Sequence, residues 1–218
     1  MVRTVLFDLD GTLIDTEKYY RRCWPMALKH FGYDMSDEQA LSMRSLGRPF
    51  APKHLKEMFG EDIDYISVRD YRKILMNEML ENDGIELKSG ALKLLTWLRD
   101  NGYRAGVATA TDLIRTEKYL REVEIFDYFT DIISATQVAE GKPSPDIYLY
   151  ACEKLGVTPG EVIAVEDSPN GVLSAYRAGC KVVMVPDQTE PDEELKKLLF
   201  ARLETLDELI TLLANQNI

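Results

Sequence analysis

Short apolar runs that do not alternate constrain this chain more than any other feature. They are "RTVLF" (3–7), "RAGVAT" (104–109), "DIISA" (131–135), "EVIAVE" (161–166) and "KVVMV" (181–185). Successive side chains of a strand point to opposite faces, so an unbroken apolar run needs cover on both. A parallel sheet flanked by helices provides that cover. Helical patterns do stand between the runs. "GALKLLTWLRDNG" (90–102) places apolar residues at 91, 92, 94, 95 and 98 and stops at Gly102. "SPDIYLYACEKLG" (144–156) opens on Ser144 as N-cap with Pro145 at the first helical position, and closes on Gly156. "SPNGVLSAYRAG" (168–179) repeats that opening. Strands alternating with helices make βαβ units. The expected fold is therefore α/β, a doubly wound, mainly parallel, Rossmann-like sheet.

Residues 15–86 interrupt the rhythm. "TEKYYRRCWPMALKHFG" is an amphipathic helix that Pro25 kinks or ends halfway. "SDEQALSMRSLG" is a second helix, with Ser36 and Gln39 as a capping box. "SVRDYRKILMNEML" (67–80) is a third, and no strand pattern occurs in the segment. The expected organisation is an α/β core of residues 1–14 and 87–218 carrying an inserted helical cap, 15–86. An insert placed after the first strand hangs over that strand's carboxyl end and can act as a lid.

With 26 basic and 37 acidic side chains the net charge is −11. A field of that sign disfavours nucleic acid as a partner and obliges an anionic substrate to find a local cation. No stretch approaches the ~18 apolar residues of a membrane span. "MVRTVLFDLD" lacks the basic and apolar regions of a secretion signal. Cys23, Cys152 and Cys180 are far apart and odd in number, which suits small buried hydrophobes in a reducing compartment. The expectation is a cytoplasmic protein with no nucleic-acid or membrane partner, and so small an insert is compatible with a monomer.

In an open parallel sheet, ligands bind beyond the carboxyl ends of the strands. The first strand ends on Asp8 and Asp10, two carboxylates on one face, and the second ends on Thr109. The fourth ends on Glu166 and Asp167, and Lys142 lies in the loop "GKPSPD". Like charges so close need a compensating cation or hydrogen-bond donor. Carboxylate oxygens from separate strands suit Mg²⁺, which would also neutralise an adjacent phosphate. Lys142 and the Thr109 hydroxyl can hold further phosphate oxygens. One aspartate can then act as nucleophile while a second exchanges protons with the leaving oxygen and with water. Glycines 11, 141 and 171 would let backbone amides approach the anion.

Four motifs in order, "DLDGT" (8–12), the strand ending in Thr109, "GKPSPD" (141–146) and "VEDSPNG" (165–171), resemble those of the haloacid dehalogenase-like hydrolase superfamily. The resemblance covers nearly the whole chain, helical insert included. It implies that Asp8 is the phosphorylated nucleophile and Asp10 the general acid/base. It further implies that Thr109 and Lys142 hold the transferring phosphoryl group. Glu166 and Asp167 would complete a Mg²⁺ site with Asp8 and the main-chain carbonyl of Asp10. The subgroup it resembles holds phosphoglycolate phosphatase-like and β-phosphoglucomutase-like enzymes. Candidate substrate contacts are Gly11, Thr12, Thr16, Ala110, Thr111, Ser168 and Asn170 around the core, and Tyr20, Arg44 and Arg48 in the cap.

The mutases carry a histidine where "DTEKYY" has Tyr20, which argues against isomerase chemistry, whereas Arg48 could grip a second phosphate and argues for it. The expected function is a Mg²⁺-dependent phosphatase acting on a small phosphorylated metabolite, with a sugar phosphate first and a phosphosugar mutase second. A non-enzymatic phospho-accepting receiver module is a remote third, because such modules lack the helical insert and the "DxDGT" motif.

Overall fold

The computed structural model describes residues 2–215. At its centre lie β1 (Thr4–Phe7), β2 (Arg104–Thr109), β3 (Asp131–Ser134), β4 (Val162–Glu166), β5 (Lys181–Met184) and β6 (Ala201–Arg202). They form one sheet in the order β3-β2-β1-β4-β5-β6, with every neighbouring pair parallel. The chain first builds outward from β1 through β2 to β3, then crosses back to β4 on the other side of β1. That reversal opens a crevice at the carboxyl ends of β1 and β4.

Residues 15–86, which follow β1, hold four helices: α1 (Glu17–His30), α2 (Asp37–Ser42), α3 (Phe50–Phe59) and α4 (Tyr65–Asp83). Next comes α5 (Ala91–Asp100), and the rest are α6 (Leu113–Glu122), α7 (Asp146–Leu155), α8 (Pro169–Ala178), α9 (Glu193–Lys196) and α10 (Glu208–Asn215). Strand alternation then sorts the core into two layers. Val5, Phe7, Val107, Ile163 and Val165 pack with Leu94, Tyr119, Leu120 and Leu209 of α5, α6 and α10. Leu6, Ala108, Ala164 and Val182 pack with Tyr148, Ala151, Val172 and Ala175 of α7 and α8 on the other face. The sheet is covered on both sides, as its unbroken apolar runs require.

Helices α1 to α4 carry an apolar cluster of their own, including Trp24, Leu28, Ala40, Leu55 and Val68. Tyr19, Cys23, Met76 and Leu80 of α1 and α4 join the sheet's core instead and anchor the segment to it. α1 runs unbroken through Pro25, because its buried face of Tyr19, Cys23, Trp24, Ala27 and Leu28 holds the helix that the missing N–H would weaken. The Ser36–Gln39 capping box forms on α2.

Ser144 departs from its expected role. α7 begins one residue later with Pro145 at its N-cap, and the Ser144 hydroxyl donates to Asp146 Oδ1 at 2.8 Å. Ser168 does cap α8, accepting from the Gly171 amide at 3.2 Å, a contact worth about 1 kcal/mol. α3, α6, α9, α10 and β6 have no counterpart among the sequence expectations. β6 is two residues long, and Pro52 obscures the periodicity of α3. α6 did carry a signal, since Asp112 accepts from the Arg115 amide as an ordinary N-cap.

Candidate active site

β1 delivers the chain into a tight turn. The Asp8 amide donates to the Val165 carbonyl at 2.9 Å, and the Gly11 amide to Ile14 at 2.8 Å. Gly11 sits at φ +87°, and a Cβ there would lie 2.5 Å from Asp167 Oδ2, so conformation and space both demand glycine. The turn sets Asp8 and Asp10 at the mouth of the crevice, with Thr109 ending β2, Glu166 ending β4 and Asp167 directly after it.

Lys142 is fully buried, and its ammonium donates to Asp8 Oδ1 at 2.5 Å and Glu166 Oε1 at 2.6 Å. The Tyr148 hydroxyl donates to the same Glu166 oxygen at 2.5 Å. One oxygen of each buried acid, Asp8 Oδ2, Glu166 Oε2 and Asp167 Oδ1, has no hydrogen-bond partner. Asp8, Glu166 and Asp167 present oxygens within 4.8 Å of one another. Burial raises all three carboxyls above the ordinary range, opposed by the charge of Lys142 at Asp8 and Glu166 and by that of Arg44 at Asp167. Burial alone would lower Lys142, but the charges of Asp8 and Glu166 outweigh it and keep the ammonium protonated. Three clustered carboxylates with orphaned oxygens and a deficit of positive charge fit a hard divalent cation that prefers oxygen ligands.

Asp10 is held apart from that cluster. Its Oδ1 accepts from Thr16 Oγ1 and its Oδ2 from Thr111 Oγ1, both at 2.6 Å. The Tyr20 hydroxyl lies 3.1 Å from Thr111 Oγ1, and burial with the Asp10 charge raises its pKa, so the phenol stays neutral. Thr109 Oγ1 accepts from the Thr111 amide at 3.0 Å.

A cavity of about 170 Å³ lies between these residues and helices α1 and α4. Asp8, Asp10, Tyr20, Arg44, Arg48, Thr109, Ala110 and Thr111 line it. The other candidate contacts are engaged elsewhere. Thr16 holds Asp10, Ser168 caps α8, and Asn170 Nδ2 donates to the Arg44 carbonyl at 2.9 Å, whereas Thr12 is buried with its hydroxyl unpartnered and does not line the cavity. Glu17, Arg69, Arg72, Lys73 and Arg115 line the cavity without having been anticipated. The spacing of the three α4 cations, at i, i+3 and i+4, was the available signal.

Arg44 is neither solvated nor free for a substrate. Its guanidinium bonds the Asp167 carboxylate, donates to Thr189 Oγ1 at 2.9 Å and lies 3.6 Å from Glu17 Oε2. Backbone bonds continue this contact, from the Gly47 amide to the Lys142 carbonyl at 2.9 Å and from the Gly141 amide to the Arg48 carbonyl at 2.6 Å. A Cβ on Gly141 would stand 2.6 Å from Gly47 Cα. Gly141 thus permits this close approach, and Gly171 leaves room for the Glu166 carboxylate, where the sequence had suggested amides open to an anion.

Gly171→Ala is expected to destabilise the fold by about 1–3 kcal/mol despite alanine's helix preference of about 1 kcal/mol. The added methyl would collide with the Glu166 carboxylate and push it off Lys142 and Tyr148. Urea denaturation against the parent measures this, and an unchanged midpoint would remove the packing role.

A parallel sheet with acids, a hydroxyl and a buried lysine at its carboxyl edge is the arrangement of an α/β hydrolase core. The chain belongs to the haloacid dehalogenase-like hydrolases, whose family profile matches residues 5–185. The putative phosphatase YhcW of Bacillus subtilis is 30% identical over 191 residues, 86% of this chain and 85% of that one. Hexitol phosphatase A of Escherichia coli is 30% identical over 182 residues, 83% of this chain and 81% of the relative. Among solved structures, CbbY from Rhodobacter sphaeroides in complex with phosphate has a TM-score of 0.77 at 28% identity, covering 96% of each chain. Family and relatives bear out the expected enzyme class, a phosphoric monoester hydrolase.

Proposed function

We propose that the protein is a Mg²⁺-dependent phosphatase of a small phosphorylated metabolite, a sugar phosphate first among them, working through an aspartyl-phosphate. The observation that carries this reading is the pairing of Lys142 with Asp8 Oδ1, which leaves Asp8 Oδ2 buried, without a partner and at the cavity wall. Asp8 attacks the phosphorus, and the bond to the leaving oxygen breaks. Asp10, held by Thr16 and Thr111, gives the leaving oxygen its proton and later takes one from the water that hydrolyses the acyl phosphate. Lys142 and Thr109 hold the phosphoryl oxygens. Asp8, Glu166 and Asp167, with the main-chain carbonyl of Asp10, would hold Mg²⁺, and the ion when bound supplies charge neutralisation for the phosphate. Residues 15–86 serve as a cap over the core of 1–14 and 87–218, a reading that the contacts of Arg44 and Gly47 with Asp167 and Lys142 support.

Phosphate release from a panel of phosphorylated metabolites tests the reading. Release is expected with Mg²⁺ and is expected to fall to background with EDTA and return when Mg²⁺ is restored. β-Glucose 1-phosphate belongs in the panel. Conversion to glucose 6-phosphate with little free phosphate would replace the phosphatase by a mutase, and release that EDTA leaves intact would remove the metal.

A further inference from the structure

We propose that Tyr148 is a positioning residue for the divalent cation: its hydroxyl fixes the rotation of the Glu166 carboxylate and so sets the affinity of the acidic cluster. The proposal rests on the metal-dependent reading and places one determinant of that affinity outside the acids themselves. Tyr148 stands on α7, fully buried in the core layer that holds Leu6, Ala164 and Val172. Phenylalanine would suit such a place unless the hydroxyl found a partner. The partner is Glu166 Oε1 at 2.5 Å, an oxygen that also accepts from the Lys142 ammonium at 2.6 Å. That ammonium lies 5.4 Å from the centre of the Tyr148 ring, so α7 and the loop before it deliver both donors together.

Two donors on one oxygen leave the other for a cation. Oε2 has no partner and lies against Gly171, where any Cβ would collide with it. Burial and the Glu166 charge hold the phenol in its protonated form, so it remains a donor. Lys142 alone could not fix the carboxylate. An ammonium acts as a point charge, and Asp8 Oδ1 shares this one at 2.5 Å. Without the phenol, the carboxylate can rotate, present both oxygens to Lys142 and withdraw Oε2 from Asp8 and Asp167. Outer hydrogen bonds that orient a ligand in this way are worth about 10–100-fold in metal affinity.

Mn²⁺ titrated into the substrate-free protein tests the proposal, with the unbound ion read by its electron paramagnetic resonance signal and Mg²⁺ added as competitor. Tyr148→Phe keeps the ring and its packing, and is expected to bind both ions about tenfold more weakly than the parent. Tyr128→Phe is the control. It makes the same chemical change at a half-buried ring whose hydroxyl lies 3.1 Å from Thr96 Oγ1, and it is expected to keep the parental affinity. In phosphate release, Tyr148→Phe is expected to need about tenfold more Mg²⁺ for half its maximal rate, with kcat at saturating Mg²⁺ within about threefold of the parent. Should Tyr148→Phe fail to fold by circular dichroism, Tyr148→Met, whose flexible side chain refills the space without a donor, takes its place with the same expectations. Parental affinity in the Tyr148 variant overturns the proposal, and so does an equal loss in Tyr128→Phe. A parent that binds neither ion discards the metal-dependent reading and the proposal with it. A parent that binds both, beside an unaffected Tyr148 variant, discards the proposal alone.

Discussion

Asp8→Asn is expected to abolish phosphate release, by a factor on the order of 10⁴ or more, while leaving the protein as stable as the parent or slightly more so. The loss of turnover follows from the nucleophilic role proposed for Asp8, since removal of a covalent catalyst forfeits most of the rate enhancement. The stability result follows from electrostatics. Around the site stand Asp8, Asp10, Glu17, Glu166 and Asp167 against Lys142 and Arg44, and all seven side chains are buried. Burial raises the pKa of Asp8 in the folded state above the ordinary 3.8. A carboxyl shifted upward is bound more tightly in its protonated form, so stability falls as pH rises from 3.8 through the folded value. At neutral pH the ionised group costs stability, and a neutral asparagine of the same shape removes that cost. Lys142 keeps Glu166 as its partner at 2.6 Å. Thermal melting in EDTA reads one half of the prediction and phosphate release the other. Retained turnover would sink the nucleophile assignment, and a melting point lower by more than about 4 °C, roughly 1–2 kcal/mol for a chain of this size, would sink the charge argument.

What the sequence made legible was set by local rules. Asp8 and Asp10 stand two apart at the end of an apolar run, so they share a face, and a parallel sheet brings Thr109 and Glu166 to the same edge. Lys142 could be placed at that edge, but its complete burial between Asp8 and Glu166 could not, since a lysine between glycine and proline ordinarily reads as a solvated loop residue. Arg44 was harder still. Whether it faces water, substrate or Asp167 depends on how four helices fold back over the sheet, and no period along the chain encodes that. The approach of Gly47 to Gly141 joins residues far apart in sequence and serves backbone packing, so only the folded structure explains why both lack a side chain. Arg72 belongs with these: the spacing of α4 offered its position, but its place over the rings of Tyr20 and Trp24 is a property of the packed helices.

Lys142→Met is expected to have the opposite stability effect from Asp8→Asn, although both variants lose turnover. Methionine conserves most of the volume of a fully buried side chain, so the change removes charge rather than packing. Asp8 Oδ1 and Glu166 Oε1 then lose their ammonium partner, and two carboxylates remain buried side by side with only Tyr148 donating to one of them. Breaking a buried ion pair from one side costs about 3–5 kcal/mol, because the remaining charge is left uncompensated. A proton can substitute for the lost cation. Glu166, already pushed up to about 8 in the parent by burial against the opposing charge of Lys142, is raised further without that charge. The deficit should therefore be largest at neutral and alkaline pH and shrink as pH falls and the two carboxyls protonate. A divalent cation can substitute as well, so Mg²⁺ should restore more stability to Lys142→Met than it adds to the parent. Urea denaturation at pH 8 and pH 5.5, with EDTA and then with Mg²⁺, measures all of this. A deficit that is the same at both pH values and indifferent to Mg²⁺ would mean that Lys142 serves packing, and the charge balance around Asp8 would have to be drawn again.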